Sequence, residues 1–315
     1  MTNPVVTQRL TKRYGSLTAV DALDLEVRAG EVYGFLGPNG AGKTTTLRML
    51  LGLIKPTSGE VRLFGVPPGR PGHLARVGSL VEGPAFYPYL SGSDNLKAMA
   101  RHARVGAGRI ALVLDQVDLT GRARDRYASY SLGMKQRLGV AAALLKDPRL
   151  VVLDEPTNGL DPAGMADMRL LVRRLGAAGC TVLLSSHLMT EVQELCDRVG
   201  VISRGRLVAE STVAELRGDR TLRIVADPLE AAAGTARDLI GADAVSVRDG
   251  GLDLNVAPGR APEINAALVR AGIAVHELTA RERSLEQAFF DLTAPDPAST
   301  PPPPLTGLKT EQNYV

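Results

Sequence analysis

The sequence has few cysteines, little net charge and no long apolar run, and each shortage removes a class of explanation. Cys180 and Cys196 are the two cysteines among 315 residues. Two cysteines make no disulfide framework, which points to reduced thiols in a cytosolic protein. A formal net charge of +3 is too close to neutral to argue for nucleic acid or an anionic membrane surface. No window reaches ~18 uncharged apolar residues, so no membrane-spanning helix is expected. Met1 to Leu10 lacks the apolar core of a signal peptide. No internal repeat is visible. With 44% hydrophobic and 23% charged residues, the chain has the balance of a globular protein. It is long enough for one large domain and something smaller.

Periodicity divides the chain into three textures. Leu23, Leu25 and Val27 alternate, as do Val61 and Leu63, which predicts strands near the start. A short apolar strand from Val32 to Leu36 runs into a glycine-rich turn. Leu47, Leu50, Leu51 and Ile54 then predict a helix, with Pro56 as its stop. Residues 94 to 145 read as helices only, with Ser93 or Asp94 as a first cap. Strand and helix alternate again from Leu150. Asp161-Pro162 opens a helix as cap and first-turn proline, and Cys180 to Ser186 is a second buried strand. A helix follows His187, and Val199 to Ser203 is another strand. This is the pattern of a parallel-sheet α/β domain interrupted by a helical lobe.

Beyond about Gly218 the order becomes βαββαβ. Strands at 222–225, 244–247, 252–256 and 273–278 enclose helices at 229–240 and 263–271, with a tight hairpin at Asp249-Gly250-Gly251. That order matches a ferredoxin-like unit. A last helix opens at Ser284, where Ser284 and Gln287 form a capping box. From Pro295 the chain is proline-rich and polar, and a disordered tail, 295–315, is expected.

Gly37-Pro38-Asn39-Gly40-Ala41-Gly42-Lys43-Thr44 has the spacing G-x-x-x-x-G-K-[ST] between an apolar strand and an amphipathic helix. Glycines let backbone N–H groups wrap a phosphate, and the helix N-terminus adds unpaired donors. Lys43 reaches the β/γ-phosphates and Thr44 ligates Mg²⁺; Thr45 follows in the same turn and is assigned to ATP with it. Leu150-Val151-Val152-Leu153-Asp154-Glu155 delivers two acids to the end of a buried strand. Asp154 would hold Mg²⁺ through water and Glu155 would deprotonate the attacking water.

A third motif narrows this nucleoside-triphosphatase class. Tyr130-Ser131-Leu132-Gly133-Met134-Lys135-Gln136-Arg137 resembles the signature motif of ABC ATPases, with Leu132 and Met134 departing from the usual glycine and glutamine. This variant is similar to that of bacterial drug-resistance, bacitracin and lantibiotic-immunity ATPases. Asn158-Gly159-Leu160-Asp161 resembles the D-loop and Ser185-Ser186-His187 the switch histidine that senses the γ-phosphate. Tyr14 stands where the family stacks an aromatic ring on adenine. Glu82 stands where most members carry a glutamine that touches the metal or the water. Residues 284 to 293 resemble the closing helix of daunorubicin-resistance ATPases.

The resemblance implies a P-loop NTPase cassette: a RecA-like parallel-sheet core, N-terminal antiparallel strands and a helical subdomain at about 88–146. The cassette would occupy 1–218 and the ferredoxin-like domain 219–294. It implies two ATPase subunits, taken as a homodimer, closing around two ATP, each site joining the phosphate loop of one chain to Ser131 and Gly133 of the other, with Asp161 in the D-loop that links the two sites. Catalysis would rest on Lys43, Glu155 and His187, and the metal on Thr44, Asp154 and Glu82. The partner implied is a membrane permease, with the ATPase on the cytoplasmic face and a drug or peptide antibiotic as exported cargo. A lipid or polysaccharide cargo, or a soluble regulator, is the alternative. A ribosome- or DNA-acting ABC protein is disfavoured, because a second cassette and a coiled-coil insertion are both missing. An ATP sensor that does not hydrolyse is disfavoured by Glu155.

Overall fold

The computed structural model describes residues 2–70, 72–217 and 221–281. The helix expected from Ser284 and the tail from residue 295 lie outside the described residues. In chain order the first elements are β1 (Val5–Tyr14), β2 (Leu17–Val27), β3 (Val32–Leu36), α1 (Lys43–Leu50), β4 (Ser58–Leu63) and β5 (Val77–Leu80). The helical lobe holds α2 (Gly92–Ala103), α3 (Gly108–Gln116) and α4 (Leu132–Leu144). Then come β6 (Leu150–Asp154), α5 (Pro162–Ala177), β7 (Thr181–Ser186), α6 (Met189–Leu195), β8 (Arg198–Ser203), β9 (Arg206–Thr212) and α7 (Val213–Arg217). The last group is β10 (Thr221–Asp227), α8 (Leu229–Ile240), β11 (Val245–Arg248), β12 (Gly251–Leu254), α9 (Ala261–Arg270) and β13 (Ala274–Arg281).

The central sheet runs β5-β6-β7-β3-β8-β9. Its pairings are parallel except the last, β8 with β9. All five residues of β3 and all six of β7 are buried, as expected of parallel strands covered on both faces. A second, antiparallel sheet of order β2-β1-β4 packs on one side. It shares a core with α1 and the sheet through Leu10, Leu25, Phe35, Leu47, Leu50 and Val152. The other side of the sheet shares a core with the helical lobe through Leu96, Val113, Leu138, Leu153, Val172 and Leu184.

Helix α1 is shorter than the apolar repeat suggests. It ends at Leu50, and Gly52, with φ of 73°, turns the chain before Pro56 is reached. Ile54 therefore packs from a turn rather than from the helix. Strand β9, with its alternating half-buried pattern, was not read from the sequence. Ser91 rather than Ser93 or Asp94 caps α2, accepting the Asp94 N–H.

In the C-terminal part the sheet order is β11-β12-β10-β13, all antiparallel, with α8 and α9 on it. This is the ferredoxin-like arrangement. Asp249 and Gly250 form the hairpin between β11 and β12, both at positive φ. Its core of Leu222, Ile224, Ala232, Leu252, Leu254 and Leu268 is separate from the other two.

Both cysteines are free. Burial, with Asp147 adding to it, pushes the Cys180 thiol up to about 11. Burial pushes Cys196 up further, helped by Glu191 and Asp197. Reactivity follows the thiolate. At about pH 8 the native protein is therefore expected to resist iodoacetamide, with both thiols labelled only after denaturation. Rapid labelling of either thiol in the folded protein would contradict this burial.

Candidate nucleotide site

Three strands end together at one edge of the central sheet. The parallel register sets Leu36 against Ser186 and Asp154 against Ser185, so the ends of β3, β6 and β7 are level. Past β3 the chain forms the loop 37–42, anchored by Gly37 N–H donating to Ser186 O at 3.2 Å. Gly42 has φ of 108°, and a Cβ there would lie 2.5 Å from Ala19 O. Only glycine allows the loop to turn into α1 while touching β2. Pro38, Asn39 and Gly40 are exposed and Ala41 is buried beneath them.

Lys43, the first residue of α1, is 5% exposed. Its Nζ donates to Gly37 O at 2.7 Å and Pro38 O at 3.2 Å, and lies 3.1 Å from Glu155 Oε1. The other carboxylate oxygen of Glu155, Oε2, is 2.9 Å from His187 Nδ1. Glu155 has φ of 45°, a left-handed turn just past the strand that lets its side chain face the loop. Its N–H donates to Ser185 Oγ at 3.0 Å, and Ser185 Oγ donates to Asp154 Oδ1 at 2.5 Å. Ser185 thus positions both acids. Ser186 Oγ donates to the buried Glu191 at 2.6 Å and accepts the Leu188 N–H at 3.0 Å, which shapes the turn that carries His187.

A cavity of about 330 Å³ opens beside these groups, lined by Thr44, Glu82, Gly83, Gln136, Asp154, Glu155 and Asn158. The structure brings Lys43, Thr44, Asp154, Glu155, His187 and Glu82 together, with Thr45 next to Thr44 on α1. Glu82 sits at positive φ just past β5, and its carboxylate is paired with the Arg48 guanidinium. Arg48 stands four residues after Thr44, on the same helix face. Arg48 was not read from the sequence, because its partner Glu82 lies 34 positions away. Thr44 hydroxyl and Asp154 carboxylate are hard oxygen donors, which suits Mg²⁺.

The remaining predicted residues form other groups. Tyr14 is 48% exposed on the β1–β2 hairpin, with Lys12 Nζ 5.0 Å from its ring centre. Ser131 caps α4, accepting the Met134 N–H at 3.3 Å, and Asp161 caps α5, accepting the Gly164 N–H at 2.9 Å. These two helix starts meet: a Cβ on Gly133 would lie 3.8 Å from Gly164 Cα. Neither Ser131, Gly133 nor Asp161 lines the cavity.

Residues 20–158 match the family model described as ABC transporter. Over 300 residues the chain is 39% identical to the uncharacterized ABC transporter ATP-binding protein YdbJ of Bacillus subtilis (strain 168), covering 93% of this chain and 96% of that one. The chain belongs to the ABC transporter ATP-binding proteins. This ABC ATPase is also 41% identical over 299 residues to the bacitracin transport ATP-binding protein BcrA of Bacillus licheniformis, covering 93% and 98% of the two chains. Among solved structures, an ATP binding subunit of an ABC transporter aligns with a TM-score of 0.61 and 27% identity, covering 68% of this chain and 91% of that chain.

Two outcomes are expected from these contacts. Lys43→Ala removes the cation facing the loop and is expected to lower ATP turnover by about 100-fold or more. Purified variant and wild type compared by phosphate release test this, and equal rates would exclude Lys43 from the site. The Arg48–Glu82 pair is part-exposed, 38% and 60%, so Glu82→Gln is expected to change stability by less than about 1 kcal/mol. It should also keep basal turnover within about an order of magnitude. Thermal melts and ATPase rates against Mg²⁺ measure both, and a larger loss would give Glu82 a direct part in turnover.

Proposed function

We propose that this ABC ATPase hydrolyses ATP as a homodimer and powers export of a drug or peptide antibiotic through a separate membrane permease. The observation that carries the hydrolytic reading is Glu155, held between Lys43 and His187 beside Asp154. A carboxylate held at both oxygens is oriented to take a proton from an attacking water. Lys43 faces the phosphate charge, and the N–H groups of the loop and of α1 bind phosphate oxygens. His187 holds Glu155 in place and stands ready to face the γ-phosphate. Thr44, and Asp154 through water, would hold Mg²⁺, whose charge would offset that of the phosphates.

The separation of Ser131, Gly133 and Asp161 from the cavity of their own chain supports a dimer. In it the two helix starts of one subunit would meet the ATP of the other and exclude water on closing. For the permease, support comes from a groove of about 600 Å³ beside the Glu82 loop, lined by Leu74, Phe86, Tyr87, Met99 and His102 among others. Tyr87 and Tyr89 stand exposed at 56% and 67%. No helix among the described residues is long and apolar enough to cross a membrane. The reading places the chain at the cytoplasmic face, with residues 1–218 as the cassette and 219–294 as an accessory domain. Relatives named for transport of bacitracin (BcrA) and of a lantibiotic (SrtF of Streptococcus pyogenes) support the cargo by analogy.

Glu155→Gln tests the core of this reading. The variant is expected to bind ATP, to turn over about 10²- to 10⁴-fold more slowly, and to elute as a dimer with ATP and Mg²⁺. Turnover at the wild-type rate would remove Glu155 as the base. A variant that binds ATP yet stays monomeric would remove the shared-site dimer.

A further inference from the structure

The cavity beside Asp154 is also lined by Gln136, a polar side chain that the hydrolytic scheme does not use. Gln136 lies one turn into α4 and is 8% exposed. Its Oε1 is buried and accepts no hydrogen bond from the described residues. The residue lines the same 330 Å³ cavity as Thr44, Asp154 and Glu155. An amide oxygen buried without a donor is costly, whereas leucine or methionine would fill the volume without that cost. The cavity that this side chain lines has space for a donor.

The charges around it indicate which donor. Asp154, Glu155 and Glu82 are all carboxylates, and Asp154 and Glu155 already accept from Ser185 and from Lys43 and His187 respectively. Glu82 is engaged by Arg48. A further acidic oxygen would add repulsion. An amide oxygen adds an acceptor without charge, which suits a water ordered by a cation.

We propose that Gln136 belongs to the nucleotide site of its own chain, its amide oxygen accepting a hydrogen bond from the water shell of the Mg²⁺ that accompanies ATP. This rests on the reading of the cavity as the ATP and Mg²⁺ site. The backbone around it is built for a fixed position. A Cβ on Gly139 would lie 2.9 Å from Leu80 Cδ1 and 3.1 Å from Pro84 Cβ, so α4 packs directly against the end of β5 and the Glu82 loop. The same helix begins at Ser131. Gln136 is five residues along, about 7.5 Å of helix rise. One rigid element therefore carries a group toward the metal of its own subunit and, at its start, Ser131, which in the dimer reading serves the partner. Metal binding in one site and placement of the signature end for the other become linked through α4.

The test uses the full-length chain, Mn²⁺ as a paramagnetic probe and the β,γ-imido analogue of ATP. Mn²⁺ affinity is read by electron paramagnetic resonance, and nucleotide affinity without metal is read separately. Gln136→Leu is expected to weaken Mn²⁺ retention by about 10-fold while leaving metal-free nucleotide affinity within about 2-fold. Gln136→Glu is expected to tighten Mn²⁺ instead. Wild-type Mn²⁺ affinity in both variants, with unchanged circular dichroism and melting, would overturn the proposal and leave Gln136 a packing residue. Should Gln136→Leu fail to fold, the near-isosteric Gln136→Glu decides, and an unchanged affinity in it overturns the proposal. Failure of the wild type itself to hold Mn²⁺ with the analogue would overturn the reading of the site, and this inference with it.

Discussion

A buried ammonium and a part-buried carboxylate 3.1 Å apart, Lys43 and Glu155, are the interaction on which the site depends. The two residues come from different strands' ends, and neither is held by its neighbours in sequence alone. The ion pair closes because β3, β7 and β6 run parallel with their ends level. Parallel order requires crossover connections, which here are α1 with its long excursion, the helical lobe, and α5. A slip of one residue in β6 or β7 would turn Asp154 or Ser185 to the opposite face. The fully buried runs of β3 and β7 therefore do more than fill the core. They set the register that puts the acids, the lysine and His187 in one place.

Ser185 and Ser186 make this arrangement specific. Adjacent residues of a strand point to opposite faces, and the two hydroxyls take different tasks accordingly. Ser185 ties Asp154 to the backbone of Glu155, while Ser186 ties the turn before α6 to the buried Glu191. Carboxylates gathered at one edge repel one another, so each has a donor of its own: Ser185 for Asp154, Lys43 for Glu155, Arg48 for Glu82. The same reasoning makes Gln136, a neutral oxygen without a donor, stand out.

The helical lobe and the central sheet share one continuous apolar cluster, from Leu96 and Leu138 to Leu153 and Leu184. The C-terminal sheet has its own cluster. Packing density makes a shared core resist deformation, and within it α4 packs directly on the end of β5 and the Glu82 loop. The lobe is in this sense part of the site, although it was legible in the sequence as a run of helices between two strands.

By itself the sequence determined what depends on local chemistry. The phosphate loop was readable because its glycines stand between a strand and a helix, where Gly40 and Gly42 adopt positive φ. Asp161 was readable as a cap because a short side-chain oxygen satisfies an N–H group three residues on. Helix α8 and the Asp249-Gly250 hairpin followed from periodicity and turn chemistry, both short-range. The helix stop at Gly52 was missed because an apolar repeat continues past it into a turn. Tertiary structure alone decided the rest. Strand β9 is held by its pairing with β8, the pairing of Arg48 with Glu82 spans from α1 to the end of β5, and Ser185 reaches Asp154 across 31 positions. Gln136 reads in sequence as one more polar residue on a signature helix. It lines the cavity because α4 packs on β5, and a contact between distant segments leaves no periodicity in the chain to read.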